Sequence, residues 1–174
     1  MPDFDKDPRR QQELRGRPFA DAIYRATLNA QKITRSEDLP DKWDHLDKWF
    51  GIDTHIRLPD GQGLTVQEKF LSYECARFNS LTVEYEQNQH TGEKGDWFRL
   101  LAHLYFIAYF NESGDGFGKW GIVDIAKLKV LTQAGSVEWH DQANKDGRAL
   151  ASFKWCDVGR LPRECVMWQS GFHD

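Results

Sequence analysis

Phe19, Ile23, Ala26, Ala30 and Ile33 recur at three- and four-residue intervals, with Asp21, Arg25 and Lys32 falling elsewhere. That spacing predicts a helix with one apolar stripe, and Pro18 suits its first turn, so a helix is expected over residues 18–33. Residues 1–16 are polar and read as a frayed or loosely helical arm ahead of a single domain over 17–174. Residues 36–48 are again polar and read as turns or a short irregular element. The period then changes to two. In 50–58, Ile52, Ile56 and Leu58 alternate with Asp53, His55 and Arg57. Pro59, Asp60, Gly61 and Gly63 are turn formers, and beyond them Leu64, Val66 and Phe70 alternate with Thr65, Gln67 and Lys69. The two runs predict an antiparallel hairpin.

Further strands are expected over Ser80–Gln87, over the aromatic run His103–Asn111 and over Trp120–Ile125. The aromatic run reads as a strand buried on both faces, with a helix as the competing reading. A short helix follows over residues 126–134 and ends at Gly135. A last strand is expected over residues 149–158, with a short element after Pro162. Strands interleaved with helices give an α/β class with a mixed central sheet flanked by helices.

Composition narrows the function. The chain has 174 residues, enough for one self-sufficient core, and three cysteines without a CxxC pair, which argues against a disulfide framework or a structural zinc. A reduced cytosol is expected. The apolar stretch 100–110 contains His103 and is too short for a bilayer, so no membrane partner is expected. The formal net charge is −4, which by itself does not suggest a nucleic-acid binder. Its distribution is uneven. Seven basic residues against Glu13 and Asp21 give +5 over residues 9–35, and residues 37–60 carry −4. A basic arm beside an acidic patch suits a phosphate-binding surface next to a cation site, and equally suits solvated surface.

The hairpin holds the residues with chemical potential. Gln67 and Lys69 share a face and Glu68 points away. If Asp53 faces the same side, a carboxylate, an amide oxygen and an ammonium converge. Oxygen ligands of this kind suit Mg²⁺, and a lysine beside them can assist an attacking water or neutralise charge on a phosphorane. A strand-face Asp and Lys are also an ordinary solvated pair. His103 reads as a core histidine, and the seven tryptophans chiefly as core rather than as base-stacking surfaces. The glycines at 114, 116 and 118 form a turn and lack the strand-then-helix setting of a phosphate loop. No HExxH, Rossmann fingerprint or serine-nucleophile elbow is present.

Gly51-Ile52-Asp53, a short turn, then Val66-Gln67-Glu68-Lys69 resembles the core of the PD-(D/E)XK nuclease superfamily, in the branch that writes its second motif QxK. Residues 82–111 and 120–131 also resemble phage and prophage proteins with this core. The resemblance implies a restriction-endonuclease-like fold and a Mg²⁺-dependent endonuclease acting on DNA, with Mn²⁺ able to substitute, in a bacterial or phage-infected cytoplasm. It implies Asp53 and Gln67 as metal ligands and Lys69 as the catalytic lysine. The family's upstream helix glutamate has no assigned counterpart; Glu13, Asp44 and Asp47 are loose candidates, and Glu84 is a candidate source of the carboxylate that Gln67 lacks. The alternative is a nuclease-fold phage protein that has lost turnover and binds nucleic acid or a host protein.

Overall fold

Seven consecutive apolar residues, Leu104 to Phe110, form a strand in which every residue is buried, which requires a layer on each face. This computed structural model, which describes residues 7–39, 46, 50–142 and 151–172, supplies both layers. The strands are β1 (Lys32–Arg35), β2 (Thr54–Arg57), β3 (Gly63–Leu71), β4 (Ser80–Asn88), β5 (Glu93–Lys94), β6 (Leu104–Phe110), β7 (Phe117–Asp124), β8 (His140–Gln142), β9 (Ser152–Asp157) and β10 (Val166–Ser170). The α-helices whose full extent lies among the described residues are α1 (Pro8–Leu28), α2 (Asp96–Arg99) and α3 (Ile125–Gln133). Among the described residues six strands make the larger sheet in the order β1-β2-β3-β6-β7-β10, with only β3 and β6 parallel. The smaller sheet is β5-β4-β9-β8.

Alternation along β3 and β6 sorts the side chains into two cores. Val66, Phe70, Leu104, Phe106 and Ala108 pack against α1 through Ala20, Tyr24 and Leu28. On the other face, Tyr105, Ile107 and Tyr109 pack with Leu81, Val83 and Cys156 of the smaller sheet. The α/β class and the mixed sheet agree with the sequence reading, as do the β2–β3 hairpin, the strand form of β6 and the stop of α3 before Gly135. Among the described residues no helix is long and apolar enough to cross a membrane.

Helix α1 differs from expectation at both ends. It begins at Pro8, with the Asp7 side chain accepting from Arg9 N at 2.8 Å, so residues 8–16 are helical and Pro18 lies inside the helix. An interior proline forgoes one helical hydrogen bond, at a cost of about 3 kcal/mol, and packing on both sides of it sustains the helix. Asn29 takes a left-handed conformation and stops it, and the β-branched pair Ile33-Thr34 enters edge strand β1. The buried stripe is Gly16, Ala20, Tyr24 and Leu28, one step round from the expected one; Phe19 and Ile23 flank it and Ala26 is exposed. Small residues set that choice. A Cβ at Gly16 would lie 2.6 Å from the Phe70 ring, so the backbone itself touches the sheet.

Two smaller expectations, at Ile52 and His103, are corrected. Ile52 does not share the face of Ile56 but lies in the other core, because β2 begins only at Thr54. His103 is exposed ahead of β6 and its ring bonds Thr65, so it is no core histidine. Residues 149–150 of the last expected strand lie outside the described residues, and the element after Pro162 is β10.

Candidate functional site

Asp53 immediately precedes β2, and its N–H donates at 2.9 Å to the carbonyl of Val66, the residue that Thr54 faces in the antiparallel register. Its side chain is set beside Gln67 and Glu68. The Asp53 and Gln67 side chains touch: Gln67 Nε2 donates to Asp53 Oδ2 at 2.6 Å, and the Glu68 N–H reaches the same oxygen at 2.5 Å. Gln67 owes its position to Gly51. That glycine has φ +59°, and a Cβ there would fall 2.4 Å from Gln67 Oε1, so the amide oxygen occupies the space that any side chain at 51 would take.

Lys69 lies two residues on, over the same face. Its Nζ crosses to the smaller sheet and donates to Thr82 O at 3.3 Å. Burial, and secondarily the nearby Arg9 guanidinium, hold this ammonium below the usual lysine range. Thus the structure brings Asp53 and Gln67 into contact and sets Lys69 on the same strand face.

Glu68 points to the other side, as alternation requires. Its carboxylate is almost wholly buried and accepts from Arg35 Nη1 at 2.7 Å and from the Tyr24 hydroxyl at 2.8 Å. Arg35, itself buried, also pairs with Asp21 and donates to Thr54. Burial pushes the Glu68 carboxyl up in spite of Arg35, and the same burial with the adjacent carboxylate keeps the Tyr24 hydroxyl protonated.

Above these residues opens a cleft of about 920 Å³. The first half of α1 contributes Arg9, Arg10 and Arg17, and β3 contributes Glu68 to Leu71. Among the described residues its basic lining side chains are Arg9, Arg10, Arg17 and Lys69, against Asp7, Glu13, Glu37, Asp53 and Glu68, so the described lining carries no general positive field. A smaller cavity of about 320 Å³ adjoins it, and Glu68, Lys69 and Phe153 line both. Gln67, Glu84 and Asp96 line only the smaller one, where burial and then the Asp96 charge raise the Glu84 carboxyl.

Of the loose candidates for an upstream acid, Glu13 lines the cleft but is paired to Arg10 at 3.0 Å, and Asp44 and Asp47 lie outside the described residues. Among the described residues no three His, Cys, Asp or Glu side chains gather as a metal-holding group. Sequence reasoning missed the ion cluster of Arg10, Arg17 and Glu37. The seven-residue spacing of the two arginines, two helical turns, is the signal that could have found it.

Compared with known proteins, the chain matches no family model, no curated protein and no solved structure. The reading of the site therefore rests on its residues.

Proposed function

We propose that this chain is a metal-dependent endonuclease of the PD-(D/E)XK type that hydrolyses phosphodiester bonds in DNA. The observation that carries the reading is the direct contact of Asp53 with Gln67 across the hairpin, with Lys69 on the same strand face at the cleft. The donor set is compatible with a single hard cation. Asp53 offers carboxylate oxygen, and half a turn of the Gln67 amide in its Gly51 cradle would present its oxygen to the same point. One formal charge makes the affinity low, and Mn²⁺ should serve at least as well as Mg²⁺. When bound, the ion would supply Lewis-acid polarisation of the phosphoryl group and a more acidic water.

The protein's own groups do the rest. The Glu68 N–H and the Gln67 amide both hold the Asp53 carboxylate in place. The lowered Lys69 ammonium is a better proton donor than an exposed lysine and, where charged, stabilises negative charge building on a phosphate. Supercoiled and single-stranded DNA, incubated with the full chain in Mg²⁺, Mn²⁺ or EDTA, test the reading. Nicking or cutting that EDTA abolishes, and that Asp53→Asn and Lys69→Met each remove, is expected. Gln67→Glu places two carboxylates in contact, so its melting temperature should fall in EDTA and recover with Mn²⁺. No cleavage on any substrate, together with no metal-dependent recovery of that variant, would sink the reading.

A second reading is a nuclease-fold protein without turnover that binds nucleic acid or a host protein. It is favoured by the Gln67 amide, which meets Asp53 through its N–H and so completes the pair without a cation. DNA binding that persists in EDTA, with no cleavage by the wild type, would decide for it.

A further inference from the structure

Arg10 and Arg17 leave α1 two turns apart on the side that lines the cleft. One carboxylate holds both. Glu37 Oε2 accepts from Arg10 Nη2 at 2.6 Å, and Glu37 Oε1 accepts from Arg17 Nη1 at 2.6 Å. Glu13 takes Arg10 Nη1 at 3.0 Å. The fork of Arg17 stays incomplete: its Nε is buried and, among the described residues, has no hydrogen-bond partner. A guanidinium presents Nε–H and Nη–H side by side, and a single anionic group can accept both with two oxygens. Glu37 cannot do so while its second oxygen serves Arg10. A phosphate can, because it keeps a further oxygen for the second arginine.

We infer that Arg10 and Arg17 form a docking site for a backbone phosphate of a nucleic acid, filled by Glu37 as an internal stand-in that the phosphate displaces. The inference takes its ligand class from the phosphodiesterase reading. Three further observations bear on it. The Glu37 side chain is 41 % exposed, so it can swing into water without a buried charge being stranded. The two guanidinium groups hold its carboxyl down to about 2, so the stand-in is an anion throughout the working range. Because acids outnumber bases among the described residues along the cleft, a polyanion gains attraction there where a carboxylate steps aside. Net acidity of the chain and nucleic-acid binding are then compatible.

Fluorescence anisotropy with labelled single- and double-stranded DNA oligonucleotides, on the full chain in EDTA, tests this. Glu37→Gln is expected to bind about fivefold tighter, with a salt slope steeper by about one, as one freed phosphate contact implies. Glu93→Gln, which removes an exposed acid from edge strand β5, should change affinity less than about twofold and so controls for net charge. Arg17→Lys keeps the charge but loses the fork, and should bind about tenfold more weakly. Glu37→Gln no tighter than Glu93→Gln overturns the proposal, as does an Arg17→Lys protein that binds like wild type. If Arg17→Lys melts below the assay temperature, the Glu37→Gln comparison decides alone. Inorganic phosphate that displaces the oligonucleotide at equal phosphate concentration would mark a small-anion site and overturn the nucleic-acid assignment. EDTA silences cleavage, so loss of the nuclease reading leaves this result standing. Cleavage by wild type with no effect of Glu37→Gln on binding would sink only the docking site.

Discussion

Along β3, Glu68 faces α1 while Gln67 and Lys69 face the opposite way, and the two sides treat charge differently. On the α1 side the carboxylate is closed off and matched: Arg35, Tyr24, Thr54 and the half-buried Asp21, drawn from α1, β1 and β2, join it in one cluster. On the other side the polar groups border open space and are matched only in part, with Lys69 spending its ammonium on a backbone carbonyl. A buried charge with every partner in place specifies how elements meet, and a desolvated charge with a weak partner is available for a ligand. Adjacent residues of one strand thus divide between architecture and chemistry, and only the direction of the side chain tells them apart.

The contrast makes testable claims. Removing Glu68 should be the most damaging change, because it leaves the buried Arg35 with Asp21 as its remaining carboxylate partner and the Tyr24 hydroxyl without its acceptor. Glu68→Ala is expected to cost about 3–5 kcal/mol in urea unfolding, and a loss below about 1 kcal/mol would show that the cluster is not a structural unit. Gly16→Ala tests how closely α1 sits on its face. The substitution gains about 0.5–1 kcal/mol of helix propensity but drives a methyl into the Phe70 ring, with overpacking worth about 1–3 kcal/mol. Net destabilisation of about 1 kcal/mol is expected, and a stabilised protein would mean that Phe70 yields freely. The smallest effect is expected at Lys69. Its ammonium is held below the unfolded value, so the charged form costs stability at neutral pH, and that cost fades as pH rises toward the unfolded lysine value of 10.5. Lys69→Met should therefore be at least as stable as wild type at pH 7, within about 1 kcal/mol, with the advantage shrinking in alkali. A clear loss of stability would place Lys69 with Glu68 as architecture.

How much of this was legible in the sequence depended on how local each signal was. The hairpin and β6 could be read because alternation and an unbroken apolar run are properties of neighbouring residues. The contact of Asp53 with Gln67 followed from the same alternation once the register was known. The start of α1 was in plain view as Asp7-Pro8, but Pro18 offered a second plausible start with a conspicuous aliphatic stripe after it. The true stripe uses Gly16 and Tyr24, a glycine and a residue with a polar tip, and hydrophobic counting undervalues both. The Arg35 cluster was not legible at all. Its partners lie 14, 19 and 33 residues away in sequence, and nothing local marks them. The Gly51 cradle was hidden for the same reason, since it depends on a side chain delivered by another strand.

The parallel pairing of β3 with β6 also sets an order of events. Between them the chain travels through residues 72–103, which hold β4 and β5 of the smaller sheet and helix α2. Closure of so long a loop is costly, so β6 meets β7 across a short turn first and its pairing with β3 belongs late in folding. Until then Leu-Tyr-Phe-Ile-Ala-Tyr-Phe is an uncharged, proline-free run of seven residues with strong strand preference, the composition of an aggregation-prone segment. Its protection in the native protein comes from β3 and β7 at its edges and from α1 and the smaller sheet over its faces. Any lesion that delays one of those four neighbours acts on solubility before it acts on the site.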